Sequence, residues 1–163
     1  MSLNIRECII PEGRPNRPSL PMIPEYITVH DTGNIWAEQT ADSYTIYLNK
    51  YSDESAWHFT IDSKEIIQHL PLNENAWHCG DEEDGDGNRK SIGIEICMNE
   101  GGDREKAEKE AQKLIAKLMF DYNIPIENIV QHTHWNDLAD CPILIRSREN
   151  GWEDFVEGVR EYI

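Results

Sequence analysis

The sequence predicts an α/β domain, on three observations. Short β-branched stretches recur between turn residues, among them Tyr26-Ile27-Thr28-Val29-His30 and Ser91-Ile92-Gly93-Ile94-Glu95-Ile96-Cys97. Other stretches return an apolar residue every three or four positions, the period of an amphipathic helix. The 163 residues are 39% apolar and 28% charged, an ordinary globular balance that can bury one core. One domain over residues 1–163 is therefore expected.

In chain order, Arg6 to Ile10 reads as an edge strand or lead-in. Pro11, Pro15, Pro18, Pro21 and Pro24 then forbid regular structure, so this segment should wrap the surface in extended form. Tyr26 to His30 is a strand that stops at the turn residues Asp31-Thr32-Gly33-Asn34, leaving His30 at its end. Thr40 to Tyr51 reads as a helix through Ala41, Tyr44, Tyr47, Leu48 and Tyr51, with Thr40 as its cap. Ala56 to Ile61 reads as a strand with Trp57, Phe59 and Ile61 on one face and His58 and Thr60 on the other. Glu65 to Leu70 returns as its hairpin partner.

Asn73 to Lys90 reads as a long loop. Asp84, Asp86, Asn88 and Glu95 fall at ligand positions of a calcium-loop pattern, but Arg89 stands where that loop needs glycine, and calcium is not expected. In the next strand Ile92, Ile94 and Ile96 share one face, and Gly93, Glu95 and Cys97 the other. A carboxylate in so apolar a strand either faces water at a sheet edge or has a partner that repays its burial. Asp103 caps the clearest helix, whose stripe runs through Ala107, Ala111, Leu114, Ile115, Leu118, Met119 and Tyr122 and stops near Asn123, before Pro125. Ile126 to Gln131 leads into His132-Thr133-His134-Trp135. A last helix, Trp152 to Tyr162, offers Trp152, Phe155, Val156 and Val159 to the core.

A formal charge of −16 argues against nucleic acid or an anionic membrane as partner. No apolar run approaches the ~18–20 residues of a membrane span, and the first residues lack a signal-peptide pattern, so synthesis in the cytoplasm is expected. The cysteines, Cys8, Cys79, Cys97 and Cys141, are too scattered for a disulfide framework. A catalytic zinc takes three imidazole or thiolate ligands and leaves a fourth position for water. His30, His132 and Cys141 meet that requirement, and Glu95 could take the water's proton. Spacing alone leaves His134 as a rival to His132, and His78-Cys79 as a rival pair. A purely structural zinc would need a fourth protein ligand such as His134 or Cys79.

Several blocks, in order, resemble one family. They are Tyr26 through Asn34, Trp57-His58-Phe59-Thr60-Ile61-Asp62, Ile67 through Pro71, Asn75 through Asp81, Gly87 through Cys97, and His132 through Trp135 to Cys141-Pro142. The chain resembles the zinc-dependent N-acetylmuramoyl-L-alanine amidases of the peptidoglycan-recognition-protein-like superfamily, in particular the catalytic domains of phage endolysins and of bacillus and clostridial autolysins. The resemblance implies a central mixed β-sheet flanked by helices, with zinc in a groove on one face. It implies His30, His132 and Cys141 as zinc ligands, His132 being chosen because it precedes Trp135 by the family's spacing, and Glu95 as the carboxylate that activates water.

The implied reaction is hydrolysis of the amide between the lactyl group of N-acetylmuramic acid and L-alanine of the stem peptide in peptidoglycan. His58, Trp77 and His78 are expected to line the groove. A monomer is expected, joined in a longer form to a wall-binding module, made in the cytoplasm without a signal peptide and acting on the wall after release, as a phage, prophage or host lysis protein would. The alternative is a zinc-containing muropeptide-binding domain without catalysis. Two departures stand out. Many relatives carry Gly-Lys-x-Cys-Pro, whereas this chain has Asp137-Leu138-Ala139-Asp140-Cys141, longer and without the lysine, so His134 is the nearest candidate to assist the oxyanion. Asp31 follows His30 where asparagine is common; little is expected from this change, though Asp31 could act behind the ligands.

Overall fold

The computed structural model describes residues 3–163. Six strands form one mixed sheet: β1 (Ile5–Glu7), β2 (Tyr26–Asp31), β3 (Phe59–Ile61), β4 (Ile66–Gln68), β5 (Ser91–Ile96) and β6 (Ile129–Gln131), in the order β1-β4-β3-β5-β2-β6. β3 and β4 are the antiparallel hairpin the sequence predicts, and every other neighbouring pair is parallel. Asp62 closes the hairpin, its Oδ1 accepting from Lys64 N at 2.7 Å and Glu65 N at 3.0 Å.

The strands sort their residues by period two. Ile27, Val29, Phe59, Ile61, Ile92, Ile94 and Ile96 face one way and pack against helix α3 (Arg104–Tyr122) and helix α5 (Gly151–Arg160), which contribute Ala111, Leu114, Ile115, Phe155 and Val159. Asp103 caps α3 as expected, accepting from Lys106 N at 3.0 Å, and Asn123 ends it in the left-handed conformation. Tyr122, expected in the buried stripe, is 37% exposed. The one-turn helix α4 (Ile143–Arg146), which has no periodic signal of its own, joins the third candidate ligand to α5.

The other face is polar along its middle. Thr28, His30, Thr60, Ser91, Gly93 and Glu95 lie side by side across β2, β5 and β3, with His30 directly beside Glu95 and Glu95 beside Thr60. Hydrogen bonds repay part of this burial. Thr28 Oγ1 pairs with Ser91 Oγ at 2.5 Å and accepts from Trp135 Nε1 at 2.9 Å, and Thr60 Oγ1 accepts from Trp57 Nε1 at 2.7 Å. A smaller apolar cluster of Ile10, Ala41, Tyr44, Leu48, Trp57, Ile67 and Leu70 sits at the flank of this face. It is covered by helix α1 (Ala41–Ile46), which continues as one wider turn over Tyr47–Tyr51.

Three local expectations are corrected. Thr40 makes no side-chain cap; Asp62 Oδ2 instead accepts from Ala41 N at 2.9 Å, tying α1 to the hairpin. Trp57 does not share a face with Phe59 and Ile61, because Ala56 to His58 lie outside β3 and let the indole turn to the polar side. The long loop contains a short helix, α2 (Asp86–Lys90), whose first amides, Gly87 N and Asn88 N, donate to Asp81. Asn88 Oδ1 accepts from His78 N and Cys79 N at 2.8 and 2.9 Å, so the calcium-like residues point to different tasks.

Candidate metal centre

The C-terminal end of β2 carries His30, which is 1% exposed. The short turn after β6 brings in His132, and the loop before α4 brings in Cys141. One ligand atom from each of these three lies within 4.8 Å of the other two. Cys141 Sγ is 3.7 Å from His30 Nδ1, and the His30 and His132 rings meet edge to face with centroids 4.6 Å apart. Among the described residues no further His, Cys, Asp or Glu joins this group.

Hydrogen bonds behind the cluster set which nitrogen faces it. His132 Nε2 donates to Cys79 O at 2.9 Å, which leaves its Nδ1 lone pair for a ligand. His30 Nε2 lies 2.9 Å from His78 Nδ1, and His78 Nε2 lies 3.2 Å from Ser91 O. With His78 donating to the carbonyl, His30 donates to His78 and keeps Nδ1 free. The second grouping, His30, His78 and Cys79, is therefore a hydrogen-bonded relay behind the first.

Burial holds His30 and His132 below the usual imidazole range, and His78 at about 3, so all three rings are neutral, the form a metal ligand needs. Burial, and then the nearby Glu95, push the Cys141 thiol up to about 12; a divalent cation, if held beside it, would invert that balance and favour the thiolate. Two imidazoles and one cysteine with fixed tautomers are a borderline-soft donor set that fits zinc.

Gly93 lets His78 reach its place. A Cβ there would stand 2.7 Å from His78 Nδ1, so Gly93→Ala must displace the ring. Metal affinity should then fall about 10–100-fold, read by competition with a chelator; unchanged affinity would show that His30 needs no support from His78.

Asp31 ties the ends of the site together. Its backbone N–H donates to Cys141 Sγ at 3.3 Å, and its carboxylate accepts from Leu144 N at 2.7 Å and pairs with Arg104 at 2.5 Å. Arg104 in turn pairs with Glu108 at 2.8 Å, and Glu108 with Arg148 at 2.9 Å. Burial pushes the Asp31 carboxyl up, and Arg104 and the Leu144 amide pull it back.

Glu95 stands beside His30 with Oε2 sealed from solvent and without a hydrogen-bond partner. Burial, and then Asp31, raise its pKa well above the usual carboxylate range. Two clefts open here. One, of about 730 Å³, is lined by His132, His78, Trp77 and the acidic Glu54, Glu82 and Glu83. The other, of about 340 Å³, is lined by Glu95, Thr32, Tyr44 and Trp57; both reach Ser55, and neither is lined by a lysine or arginine.

Trp77 and His78 line the first of these clefts, although both His78 nitrogens are engaged elsewhere. His58 and His134 are not part of it. His58 has no exposed surface: its Nδ1 accepts from Gly93 N at 3.0 Å and its Nε2 bonds Glu74 O at 2.9 Å, so it fastens β5 to the loop. His134 is exposed and packs against Tyr26 and Trp135, its ring directed away from the ligand group. Sequence reasoning missed Arg104, Thr32 and Tyr44. Arg104 and Tyr44 sit in helices that read as packing elements, and Thr32 reads as turn chemistry.

The profile of the Amidase_2 family, N-acetylmuramoyl-L-alanine amidase, matches residues 20–143. Over 157 residues the chain is 44% identical to the N-acetylmuramoyl-L-alanine amidase CwlH of Bacillus subtilis and 46% identical to XlyA of the same organism, covering 96% of this chain in each case. It spans 61% of CwlH and 51% of XlyA, so these relatives are considerably longer. The solved catalytic domain of XlyA superimposes with a TM-score of 0.90, covering 96% of this chain and 99% of that one. A mutant endolysin from Bacillus subtilis, 46% identical, gives 0.91 over 97% and 99%. A cluster of two histidines and a cysteine at the end of a mixed sheet, together with a family match over most of the chain, makes this protein a member of the N-acetylmuramoyl-L-alanine amidase family.

Proposed function

We propose that this chain is a zinc amidase that hydrolyses the bond between the lactyl group of N-acetylmuramic acid and L-alanine in peptidoglycan. The observation that carries the proposal is the three-residue group of His30, His132 and Cys141, with no fourth protein ligand among the described residues and with Glu95 on the neighbouring strand position. A zinc ion held there would polarise the scissile carbonyl and lower the pKa of a water towards ~7. Glu95 takes a proton from the attacking water and gives it to the nitrogen of L-alanine as the amide breaks. His78 and the Cys79 carbonyl hold the two imidazoles in register, and Asp31 holds Cys141.

The chain acts in this reading as a monomeric catalytic unit. Attachment to the wall falls to a further module of a longer protein, which the greater length of CwlH and XlyA supports. Synthesis in the cytoplasm and a separate release step deliver it to the wall. Among the described residues no helix is long and apolar enough to cross a membrane, and the acidic surface offers no general attraction to an anionic wall.

The test is product analysis on purified Gram-positive peptidoglycan, following new amino termini and new reducing sugar ends together. The zinc-loaded protein should release L-alanine amino termini without reducing ends, and chelation should abolish release. Muropeptide binding with no release from the zinc-loaded protein would make this a recognition domain instead.

A further inference from the structure

Two acceptors outside the ligand group decide how its imidazoles stand, and both come from one irregular stretch of chain. His30 Nε2 meets His78 Nδ1 at 2.9 Å, and His132 Nε2 donates to Cys79 O at 2.9 Å. His78 and Cys79 lie in neither a helix nor a strand, so no backbone ladder fixes them. A shift of about 1 Å in this stretch would turn both rings at once.

One buried side chain holds the stretch in place. Asn88 is 3% exposed, and its Oδ1 accepts from His78 N at 2.8 Å and from Cys79 N at 2.9 Å. Its Nδ2 donates to Glu82 O at 2.8 Å, so a single amide grips residues 78–82 at both ends. The task needs an acceptor and a donor on one short planar group, which asparagine supplies. Asn88 is in turn fixed by the stretch it holds. Asp81 accepts from Gly87 N at 2.7 Å and from Asn88 N at 3.2 Å, at the start of α2. The stretch and α2 thus close on each other through two side chains, each bonding the other's backbone. This approach requires glycine at position 87, where a Cβ would stand 2.8 Å from Cys79 Cβ and 2.7 Å from the Trp135 ring.

We propose that Asn88, locked by Asp81, is the positioning residue for both imidazole ligands. Its side-chain amide sets His78 against His30 and the Cys79 carbonyl against His132, and it hydrogen-bonds to neither ligand ring. The calcium-like run is thereby divided. Asn88 serves the metal centre through the backbone, while Asp84 and Asp86 pair at the surface with Arg89 and Lys90. That the two rings hold zinc rests on the amidase reading; the clasp that orients them does not.

Two readouts test this without turnover. In 15N-labelled protein, with and without zinc, the ring N–H protons of His30 and His132 should exchange slowly with solvent. In Asn88→Ala both should exchange about tenfold faster, while the amides of α3, across the sheet, keep their protection. Zinc affinity, read by chelator competition, should fall about 10–100-fold in Asn88→Ala, and at least as far as in Gly93→Ala, which disturbs His78 alone. Asn88→Asp keeps the acceptor and loses the donor to Glu82, so its losses should be smaller at both readouts; it carries the test should Asn88→Ala not fold. Leu114→Ala, a cavity in the core on the other face, controls for general destabilisation and should move neither readout. Unchanged ring exchange and zinc affinity in Asn88→Ala, a change at one ring alone, or equal losses in Leu114→Ala would overturn the assignment. Failure of the wild type to hold zinc would instead sink the amidase reading, and ring exchange in the metal-free protein would still decide the role of Asn88.

Discussion

Glu95→Gln should lower kcat by about 10²–10⁴-fold while zinc stays bound. The substitution keeps the size of the side chain and removes its ability to hold a proton in transit. Glu95 lies outside the group of three ligand atoms, so metal content should not change. Its place beside His30, in the middle of a sheet, explains why a carboxylate sits in an otherwise isoleucine-rich strand. The sealed, unpartnered Oε2 is an expense that packing alone does not account for. The assay follows amino-terminus release at saturating substrate beside metal content. Undiminished kcat with metal retained would remove Glu95 from the chemistry.

Arg104→Met should destabilise the fold by about 3–5 kcal/mol. The Asp31 carboxylate is 1% exposed and would be left with the Leu144 amide as its remaining partner, while Glu108 would lose one of its two arginines. Breaking a buried pair from one side strands a charge, which costs far more than the pair contributes when whole. Asp31 also donates its N–H to Cys141 Sγ, so metal affinity should fall together with stability. Urea denaturation measures the first effect and chelator competition the second. Asp31→Leu combined with Arg104→Met should recover much of the lost stability, since neither charge is then stranded. A loss below about 1 kcal/mol in the single variant would mean that water reaches Asp31 and the network is superficial.

Much of this architecture is legible in the sequence where a period is strong. The alternation in Ser91–Ile96 assigns Ile92, Ile94 and Ile96 to the core and Glu95 to the opposite face, and the stripe of α3 finds its side of the sheet. Irregular backbone is where reading fails: Trp57 precedes its strand and so escapes the alternation, and α2 and α4 are too short to show a helical period. The candidate ligands are a different case. His30, His132 and Cys141 come from three separate segments, so no spacing rule joins them, and only the ordered resemblance selects His132 over His134. The structure separates these two by direction, one ring turned to His30 and the other to Tyr26. The Asp31–Arg104–Glu108 chain has no sequence signal, because its charges look like the solvated face of an ordinary helix.

The most direct measurement is X-ray absorption at the zinc edge of the loaded protein. One sulfur and two imidazole nitrogens, with an exchangeable light atom as fourth neighbour, is the predicted shell, and Cys141→Ser should remove the sulfur. A third imidazole, or a sulfur that persists in Cys141→Ser, would mean that His78 or Cys79 holds the metal and would contradict an open site of His30, His132 and Cys141.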